Sequence, residues 1–508
     1  MKNLRNSRRN RTDYAPGSAR VAEQIEEFVA RYEAYRRNKE ERALSKDDRT
    51  KYVRHMQIIL LDLLAAWEGD ETIFIGYSRG GHAFRRGGSY WDQSQDKPIL
   101  SERIYLGLID FLHAEDFIEN HVMPPGREDM SSRMRANDRL KNKFRERGLN
   151  WTSIVTDLEA EVIFVNEPIK EKKPDKTAEK IWKKIRKKKK KKKRLIPPPK
   201  SDSFDIEAAR ANLRRINANL QTTFISLVVS DVELGKIRAR LVMDEASSEE
   251  PREPFELSNR TLRRIFSLGG YENGGRFYGG WWQGIPSQYR KFIEIDGAMT
   301  REMDFSSIQP RLMYAEAGHK PPEDAYILPD WPVEVRPVAK KAFNKLINSD
   351  PSSRNPNQWH RFVPDVGFTE LPYGWRWWPE NGKDVWLRAM FKKTFGRPYH
   401  ELLSDLLKMH APIDEFFFSK AWGRMQRKDS DIAELTMLKL LDRDVPVTVL
   451  PIHDSFIVRG GEEDALYSAM GEAFEDIGGA PGDIDLEDAV YDPPEGYEGK
   501  RLIWADKQ

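Results

Sequence analysis

The sequence contains no cysteine in its 508 residues. Disulfide bonds, thiolate zinc sites and cysteine nucleophiles are therefore excluded, and any bound metal ion must use Asp, Glu, His or carbonyl oxygen. A long apolar run is also lacking, since even IILLDLLAAW is interrupted by Asp62. About 20 consecutive apolar residues are needed to cross a bilayer, so we expect no membrane partner.

The N-terminal sequence MKNLRNSRRNRTDY lacks an apolar segment after its basic residues, so we expect no secretory signal. The absence of cysteine is compatible with a reducing compartment, and we expect a cytoplasmic, intracellular protein. A chain of this length predicts two to four domains. Its 32% charged, 39% hydrophobic and 11% aromatic residues are typical of a globular protein.

The formal net charge of +3 conceals a strong segregation of charge along the chain. Residues 183–194, KKIRKKKKKKKR, carry eleven basic groups in twelve positions, whereas residues 461–500 are rich in Asp and Glu. A block of like charges repels itself and is not expected to fold alone. Two interpretations remain open, a solvated linker and a tether that binds nucleic-acid phosphates.

Hydrophobic periodicity and composition divide the chain into five parts. We predict a helical N-terminal region at 1–70, a winged-helix-like nucleic-acid-binding domain at 71–170, and a Lys/Pro-rich linker at 171–200. A helical segment at 201–260, either thumb-like or merely connecting, precedes the domain at 261–508. In the winged-helix-like part, a Pro-Gly turn at 124–126 leads to a basic helix, which is either a phosphate contact or a solvated face. The candidate phosphate contacts are Arg133, Arg135, Arg139, Lys141 and Lys143.

Two acids in the C-terminal half occupy positions that suit a metal site. Asp304 ends the short run TREMD and precedes FSSIQPRLMYAEAG, which we expect to be a helix closed by Gly318. Asp454 lies between the β-rich runs VPVTVLPI and FIVRG, which predicts the tip of a tight hairpin. Each acid alone is typical of a cap or turn. Nucleotidyl transfer, however, needs carboxylates delivered to one point by separate elements.

The sequence around these acids resembles known polymerase motifs. DFSSIQPR, which starts at Asp304, is similar to the first catalytic motif of family A DNA polymerases. PIHDSF, around Asp454, resembles the last motif of the same superfamily, in the HDSF form of phage and mitochondrial single-subunit RNA polymerases. The resemblance covers about residues 265–465 and implies an α+β fold, with a right-hand polymerase palm and helical fingers after a mainly helical N-terminal half.

The segment RPVAKKAFNKLINSD resembles the fingers helix of this superfamily. Arg336 and Lys340 are four residues apart and so share a helix face, and Pro337 is tolerated only if the helix begins just before it. The resemblance implies that both cations bind the incoming triphosphate. Asn348 departs from the pattern, because the family usually has Tyr at that position near the nascent base pair.

Two further segments resemble motifs that meet the primer or template. GGRFYGGWWQGIP is similar to a family A segment whose Arg meets the primer end, which implies that role for Arg276. MQRKDSDIAE makes Gln426 a candidate for primer or template contact, although a solvated helix start explains it nearly as well. Arg311 and His453, within the two catalytic motifs, are expected to order the primer terminus, and His453 has the alternative role of supporting the hairpin.

Gln309 occupies the position at which DNA polymerases usually carry a Glu that excludes a ribose 2′-hydroxyl. Gln has similar length but is uncharged and both donates and accepts, so it could block the hydroxyl or bind it. Ser306 and Gln309 also have the spacing of a capping box. The choice between dNTP and NTP therefore stays open.

The resemblance implies a two-metal mechanism. Asp304 and Asp454, with the backbone carbonyl of Phe305, are expected to hold two Mg2+ ions, for which Mn2+ is a substitute. The expected partners are nucleoside triphosphates and a primer-template of DNA or RNA, while the sequence gives no protein partner. No 3′-5′ exonuclease constellation is present in the N-terminal half, so proofreading is not expected.

Three functions compete. We favour a DNA-templated DNA polymerase or primase-polymerase of a phage or mobile element, because DFSSIQPR and GGRFYG side with family A. HDSF and KDSDI favour a single-subunit DNA-directed RNA polymerase. Asn348 and the winged-helix-like half favour a DNA-binding replication protein with a degenerate polymerase domain.

Overall fold

The structure, a computed structural model, combines helices and sheets in an α+β fold. It describes residues 7–92, 96–123, 132–168, 193–247, 255–361, 380–478, 484–486 and 500–501. The Pro-Gly turn predicted at 124–126, and most of the lysine run at 183–194, lie outside these residues. No helix in the described part of the chain is long and apolar enough to cross a membrane.

The α-helices fall into an N-terminal group, a middle pair and a C-terminal group. The N-terminal group comprises Ala19–Asn38, Lys46–Gly69, Glu102–Ala114 and Asp138–Glu146. The middle pair comprises Ile206–Thr222 and Asp231–Ser247. The C-terminal group comprises Ile308–Glu316, Arg336–Asn348, Glu380–Phe395, Tyr399–Met409, Trp422–Leu441 and Glu463–Gly478.

The larger sheets each draw strands from distant parts of the sequence. The N-terminal sheet has the order Ser7–Arg9, Phe74–Tyr77, Ser132–Ala136 and Ile118–His121. The middle sheet has the order Lys193–Ile196, Ile163–Pro168, Arg263–Phe266 and Gly274–Tyr278. The C-terminal sheet has the order Val449–Ile452, Ser455–Arg459, Ala298–Phe305, Ile293–Ile295, Ile225–Val229 and Lys500–Arg501, with Ile484–Leu486 also paired to Ala298–Phe305. Two short strand pairs complete the set: Tyr14–Pro16 with Ile154–Thr156, and Trp91–Asp92 with Lys97–Pro98.

The middle sheet fixes both ends of the lysine-rich segment at one place. Ile163–Pro168 and Lys193–Ile196 are antiparallel neighbours, and Lys193 lies directly opposite Pro168. Residues 169–192 therefore leave and rejoin the same edge of the same sheet. This geometry differs from that of a linker whose two ends belong to separate bodies.

Two hydrophobic cores meet along the N-terminal segment 7–16, which we call the N-terminal strap. One core is built from residues between Tyr14 and Ile154, and the other from residues between Trp151 and Phe474. The strap adds one short strand to the N-terminal sheet and a second to a strand that ends at Thr156. Both partner strands contribute to the first core, through Ile75 and Ile154. The strap reaches the second core through Tyr14, whose hydroxyl donates to the carboxylate of Glu256 at 3.1 Å, next to Phe255 of that core.

Buried charges fix the strap in place. Arg8 lies 2.6 Å from the carboxylate of Asp62 and also pairs with Glu256, and these two carboxylates are 0% and 2% exposed. Asn10 Nδ2 and the backbone N–H of Arg11 donate to the other oxygen of Asp62 at 2.7 and 3.0 Å. The acid that interrupts IILLDLLAAW is thus the partner of a buried arginine, since a carboxylate inside a core is tolerated only when it is paired.

We predict that Arg8→Ala destabilises the fold strongly. The substitution leaves Asp62 and Glu256 buried without their cation, and breaking a buried ion pair in this way costs about 3–5 kcal/mol. Urea denaturation of both proteins at pH 7 measures the loss. Arg31→Ala is the matched control, because Arg31 pairs with Glu27 at 3.1 Å on an exposed helix face and its loss should cost less than about 0.5 kcal/mol. Equal losses in the two variants would contradict the assignment.

Candidate active site

Strand register brings the two candidate catalytic acids together. Ala298–Phe305, which we call the Asp304 strand, pairs antiparallel with Ser455–Arg459, and Asp304 lies directly opposite Ser455. Ser455 follows Asp454 in the chain, and the backbone N–H of Phe305 donates to the carbonyl of Asp454 at 3.4 Å. Asp304 and Asp454 are thus neighbours at the end of two central strands, although 150 residues separate them in the sequence.

The predicted hairpin is confirmed, with Asp454 in its turn. Val449–Ile452 and Ser455–Arg459 pair antiparallel, and Ile452 lies opposite Ser455, so His453 and Asp454 form a two-residue connection. His453 has a φ of +59°, in the left-handed region that costs a non-glycine residue about 1–2 kcal/mol. A glycine would adopt this backbone without that cost.

The helix after the Asp304 strand begins one residue later than a capping box requires. It spans Ile308–Glu316, its N-cap residue is Ser307 at a φ of +54°, and no side-chain cap hydrogen bond is present. The alternative role of Ser306 and Gln309 as a capping box is therefore not the one the structure has, since the N-cap residue is Ser307. Gln309 is half-buried in the first turn of the helix.

Arg311 and Gly318 fix the two ends of this short helix. Arg311 is buried, and its Nε donates to the carbonyl of Ser306 at 2.8 Å, which holds the turn that follows Asp304. The expected closure by glycine is confirmed, since Gly318 has a φ of +71° and its N–H donates to the carbonyl of Ala315.

A third acid supports the hairpin from the Asp304 strand. Glu302 precedes Asp304 by two residues, so the alternation of a strand places both on one sheet face. Its carboxylate accepts a hydrogen bond from the hydroxyl of Ser455 and lies 3.0 Å from Arg290. The neighbour of Asp454 is thereby held across the strand pair. Sequence reasoning missed Glu302, because its partners are distant in the chain.

Arg276 lies between two acids of the site. It belongs to the strand Gly274–Tyr278, and its Nη2 is 2.7 Å from the carboxylate of Asp429, which is 2% exposed. Burial lowers the pKa of Arg276, but the charges of Asp429 and Asp454 outweigh burial and the net effect is a raised pKa. Arg276 therefore stays protonated beside the Asp304–Asp454 pair.

The pKa of Asp429 is raised, although a pairing with arginine usually lowers the pKa of an acid. Burial raises the pKa of Asp429 to about 6 from 3.8, because Arg276 offsets burial only in part and the charge of Asp454 adds to the rise. The sequence string KDSDI contains Asp429, but no local signal distinguishes it from a solvated helix residue. Its burial and its contact with Arg276 are the features that mark it.

The helix Trp422–Leu441, which we call the Asp429 helix, packs directly on the strand that carries Arg276. The hydroxyl of Ser430 lies 2.6 Å from the carbonyl of Gln426 and 3.1 Å from the carbonyl of Gly274. A Cβ atom on Gly423 would lie 2.3 Å from the side chain of Asn273, so a larger residue there would require Asn273 to move. Gln426 is half-buried one turn before Ser430, on the helix that holds Asp429 against Arg276.

The predicted fingers helix begins at the expected residue. Arg336–Asn348, which we call the Arg336 helix, carries Pro337 in its first turn, where no intrahelical donor is lost. The guanidinium of Arg336 and the ammonium of Lys340 lie 5.7 and 5.9 Å from the centre of the Tyr326 ring. The two cations therefore share one helix face. Asn348 is the last residue of this helix and is exposed.

Tyr326 connects this helix with the turn after the Asp304 strand. Its ring is 3% exposed, and its hydroxyl makes a hydrogen bond with the side chain of Ser307. Burial raises the pKa of Tyr326 to about 12, and the charge of Asp454 contributes to the rise, which places the phenol near that acid. The carboxylate of Asp324 holds Arg336 at 2.7 Å. No motif in PPEDAYILPDW indicated this connecting role.

The oxygen donors fit Mg2+ that is completed by substrate. Mg2+ is usually bound through one or two carboxylates together with substrate phosphates, and Asp304, Asp454 and the carbonyl of Phe305 are donors of that kind. Across the described ranges, no group of three or more His, Cys, Asp and Glu residues could hold a metal ion. A closed, all-protein site is therefore not formed by these residues.

Most of the basic residues singled out in the predicted winged-helix-like part contact nearby acidic side chains or a backbone carbonyl. Arg135 pairs with Glu119 at 2.6 Å, Arg139 donates to the carbonyl of Glu115, and Lys143 lies 3.0 Å from Glu146. Lys141 likewise has acidic neighbours. The basic helix predicted over residues 132–148 is wrong in its first part, because Arg133 and Arg135 lie on the strand Ser132–Ala136 and the helix is Asp138–Glu146. A phosphate would have to compete with these partners, and the interpretation as a nucleic-acid-binding domain stays a prediction.

We predict that Asp429 makes the stability of the metal-free protein dependent on pH. Its folded pKa, about 6, lies above the unfolded value of 3.8, so its contribution to stability is present below pH 4 and is lost as pH rises to about 6. The full difference is about 3 kcal/mol. Asp429→Asn cannot ionise, so its free energy of unfolding should rise relative to that of the wild type between pH 4 and pH 7. Parallel urea-denaturation profiles of the two proteins would refute the buried titration.

We predict that His453→Gly preserves stability while impairing the site. Glycine relieves the left-handed strain at a φ of +59°, so the free energy of unfolding should not fall by more than about 0.5 kcal/mol. Arg459→Gly, at the exposed end of the same hairpin, should instead lose about 0.5–1 kcal/mol because glycine in an ordinary strand is destabilising. Thermal unfolding of both variants tests the comparison, and a larger loss for His453→Gly would mean that the side chain supports the hairpin.

Comparisons with known proteins add little to this geometry. No family model and no curated protein matches the chain. Among solved structures, the POL domain of Pol1 from M. smegmatis, in a complex with DNA primer-template and dNTP, is similar with a TM-score of 0.28 and 13% identity. The match covers 50% of this chain and 51% of that chain, so this chain spans about half the length of the matched structure. A TM-score of this size carries no argument about fold or activity.

Proposed function

We propose that the protein is a template-directed nucleotidyltransferase, a DNA-templated DNA polymerase or primase-polymerase that uses two metal ions. The observation that carries this proposal is the register of Asp304 opposite Ser455, which makes the acids of two distant motifs neighbours. A pair of carboxylates from separate elements is what nucleotidyl transfer requires. The motif strings and the geometry thus support the same reaction.

The surrounding residues support the handling of a triphosphate and a primer. Arg336 and Lys340 present two cations on one face, beside a tyrosine that also lies near Asp454. In the proposal they bind the triphosphate and neutralise the leaving pyrophosphate. In the same proposal, Arg276 and His453 order the primer terminus. Arg311 holds the turn after Asp304, and Gln426 contacts primer or template.

In the proposal, Asp304, Asp454 and the carbonyl of Phe305 hold the Mg2+ ions. When bound, Mg2+ supplies charge stabilisation at the phosphates and makes the primer 3′-hydroxyl more acidic. The carboxylates keep this centre in place through their strand pairing, and the phenol of Tyr326 sets the distance to the triphosphate-binding cations. The choice of sugar depends on Gln309 in this scheme, because its amide both donates and accepts.

The single-subunit RNA polymerase remains the second candidate. The observation in its favour is the sequence HDSF at residues 453–456, together with KDSDI at 428–432. The same hairpin is expected in either enzyme, so geometry does not choose between them. The choice between dNTP and NTP, and between a primed and an unprimed start, distinguishes the two.

We predict that Asp304→Asn abolishes synthesis without unfolding the protein. Removing a carboxylate from a two-metal centre costs several kcal/mol of transition-state stabilisation, so incorporation should fall on the order of 1000-fold. Primer extension with Mg2+ measures it, with dNTPs or NTPs, with and without a primer, for wild type and variant. Circular dichroism of each protein excludes loss of fold.

Two further variants test whether the loss of synthesis is specific to the candidate catalytic acids. Asp464→Asn removes an exposed acid from the helix Glu463–Gly478 and should leave incorporation unchanged. Asp454→Asn should reproduce the loss caused by Asp304→Asn. Retained synthesis in either catalytic variant would refute the assignment, and the absence of incorporation by the wild type under every condition would support a degenerate polymerase domain instead.

A further inference from the structure

An exposed aromatic side chain stands beside the candidate active site. The aromatic members among the large exposed hydrophobic residues of the described chain are Tyr278, which is 41% exposed, and Tyr467, which is 55% exposed. Tyr467 lies on the outward face of the helix Glu463–Gly478, whose apolar residues on the other face are buried. Tyr278 ends the strand that carries Arg276. Of these two exposed rings in the described residues, Tyr278 is the one that lies on the strand of Arg276.

The position of Tyr278 relates it to the reacting centre. Arg276 and Tyr278 are two residues apart on one strand, so their side chains emerge on the same face. The Tyr278 ring is 5.9 Å from the ring of His453, at an interplanar angle of 69°. His453 precedes Asp454 directly.

We propose that Tyr278 is the stacking platform for the base of the primer 3′-terminal nucleotide. This proposal rests on the proposed polymerase function. A primer whose 3′-hydroxyl reaches the Asp304–Asp454 pair must place its terminal base within one nucleotide of that pair, on the side where Arg276 and His453 lie. A base ring has the size and flatness to cover the exposed Tyr278 ring, and every base has a face that stacks.

The arrangement divides two tasks between neighbouring side chains. Arg276, held by Asp429 at 2.7 Å, supplies a fixed positive charge. The edge contact from His453 limits how far the Tyr278 ring rotates, because the two rings pack perpendicular to each other. The ring is thus presented in one orientation before nucleic acid binds, which reduces the entropy lost on binding.

Binding of a hairpin primer-template DNA tests the proposal without turnover, by fluorescence anisotropy in EDTA. Tyr278→Ala should raise the Kd about tenfold, within the range expected for one aromatic–base stack. Tyr278→Phe keeps the ring and should bind like the wild type, whereas Tyr467→Ala removes the other exposed tyrosine and should also bind like the wild type. Equal affinity of Tyr278→Ala and wild type would overturn the proposal.

A second substrate identifies the base that stacks. A primer that lacks its 3′-terminal base should bind the wild type about tenfold more weakly but bind Tyr278→Ala no more weakly than the intact primer does, because the same contact is removed either way. The proposal would be refuted if the abasic primer weakened binding to Tyr278→Ala as much as it weakens binding to the wild type. It would also be refuted if the loss depended on Tyr278 only when the missing base was in the template, because the ring would then stack on a template base.

Primer extension by the same proteins separates the stacking role of Tyr278 from the proposed polymerase function. If the wild type extends the primer, Tyr278→Ala should raise the KM for primer-template about tenfold and leave the KM for the nucleotide unchanged. Wild-type synthesis with no change in Tyr278→Ala would refute the stacking role alone. Failure of the wild type both to bind and to extend would refute both the stacking role and the polymerase function.

Discussion

The pairing of the Asp304 strand with the second strand of the hairpin is the constraint on which the candidate site depends. With Asp304 opposite Ser455, one register places both acids at the same strand ends and allows Phe305 to donate to the carbonyl of Asp454. A slip by one residue would move every side chain of a strand to the other sheet face. The positions of the two acids are therefore set by this register, in which the buried residues of both strands are packed.

Two of the cations near this pair of acids are each held by another acid. Arg276 is confined by Asp429, and Arg336 by Asp324, so both cations are positioned by carboxylates that are not themselves in the strand pair. Fixing a long cationic side chain in this way removes rotamer freedom before a ligand arrives. The acid that holds Arg276 is itself buried, and burial opposes the ionisation of Asp429.

The local part of this architecture was predictable from sequence, and the long-range part was not. The hairpin around Asp454 and the helix start just before Pro337 follow from β-rich runs, turn position and proline geometry, and the structure has both. The capping box failed because Ser307 adopts a left-handed backbone that shifts the helix start. The positions of Asp429 and Tyr326 in the site were not predictable from sequence, because they depend on tertiary contacts that neither periodicity nor spacing encodes.

The closed attachment of residues 169–192 limits where their positive charge can act. Lys193 and Pro168 are strand neighbours, so the segment is anchored at both ends whatever conformation it adopts. An extended residue spans at most about 3.5 Å, and the middle of the segment can therefore lie no more than about 40 Å from that sheet edge. The middle sheet also contains the strand that carries Arg276. The lysines therefore stay within that distance of the sheet that carries Arg276, which is the condition that the phosphate-binding interpretation of this segment requires.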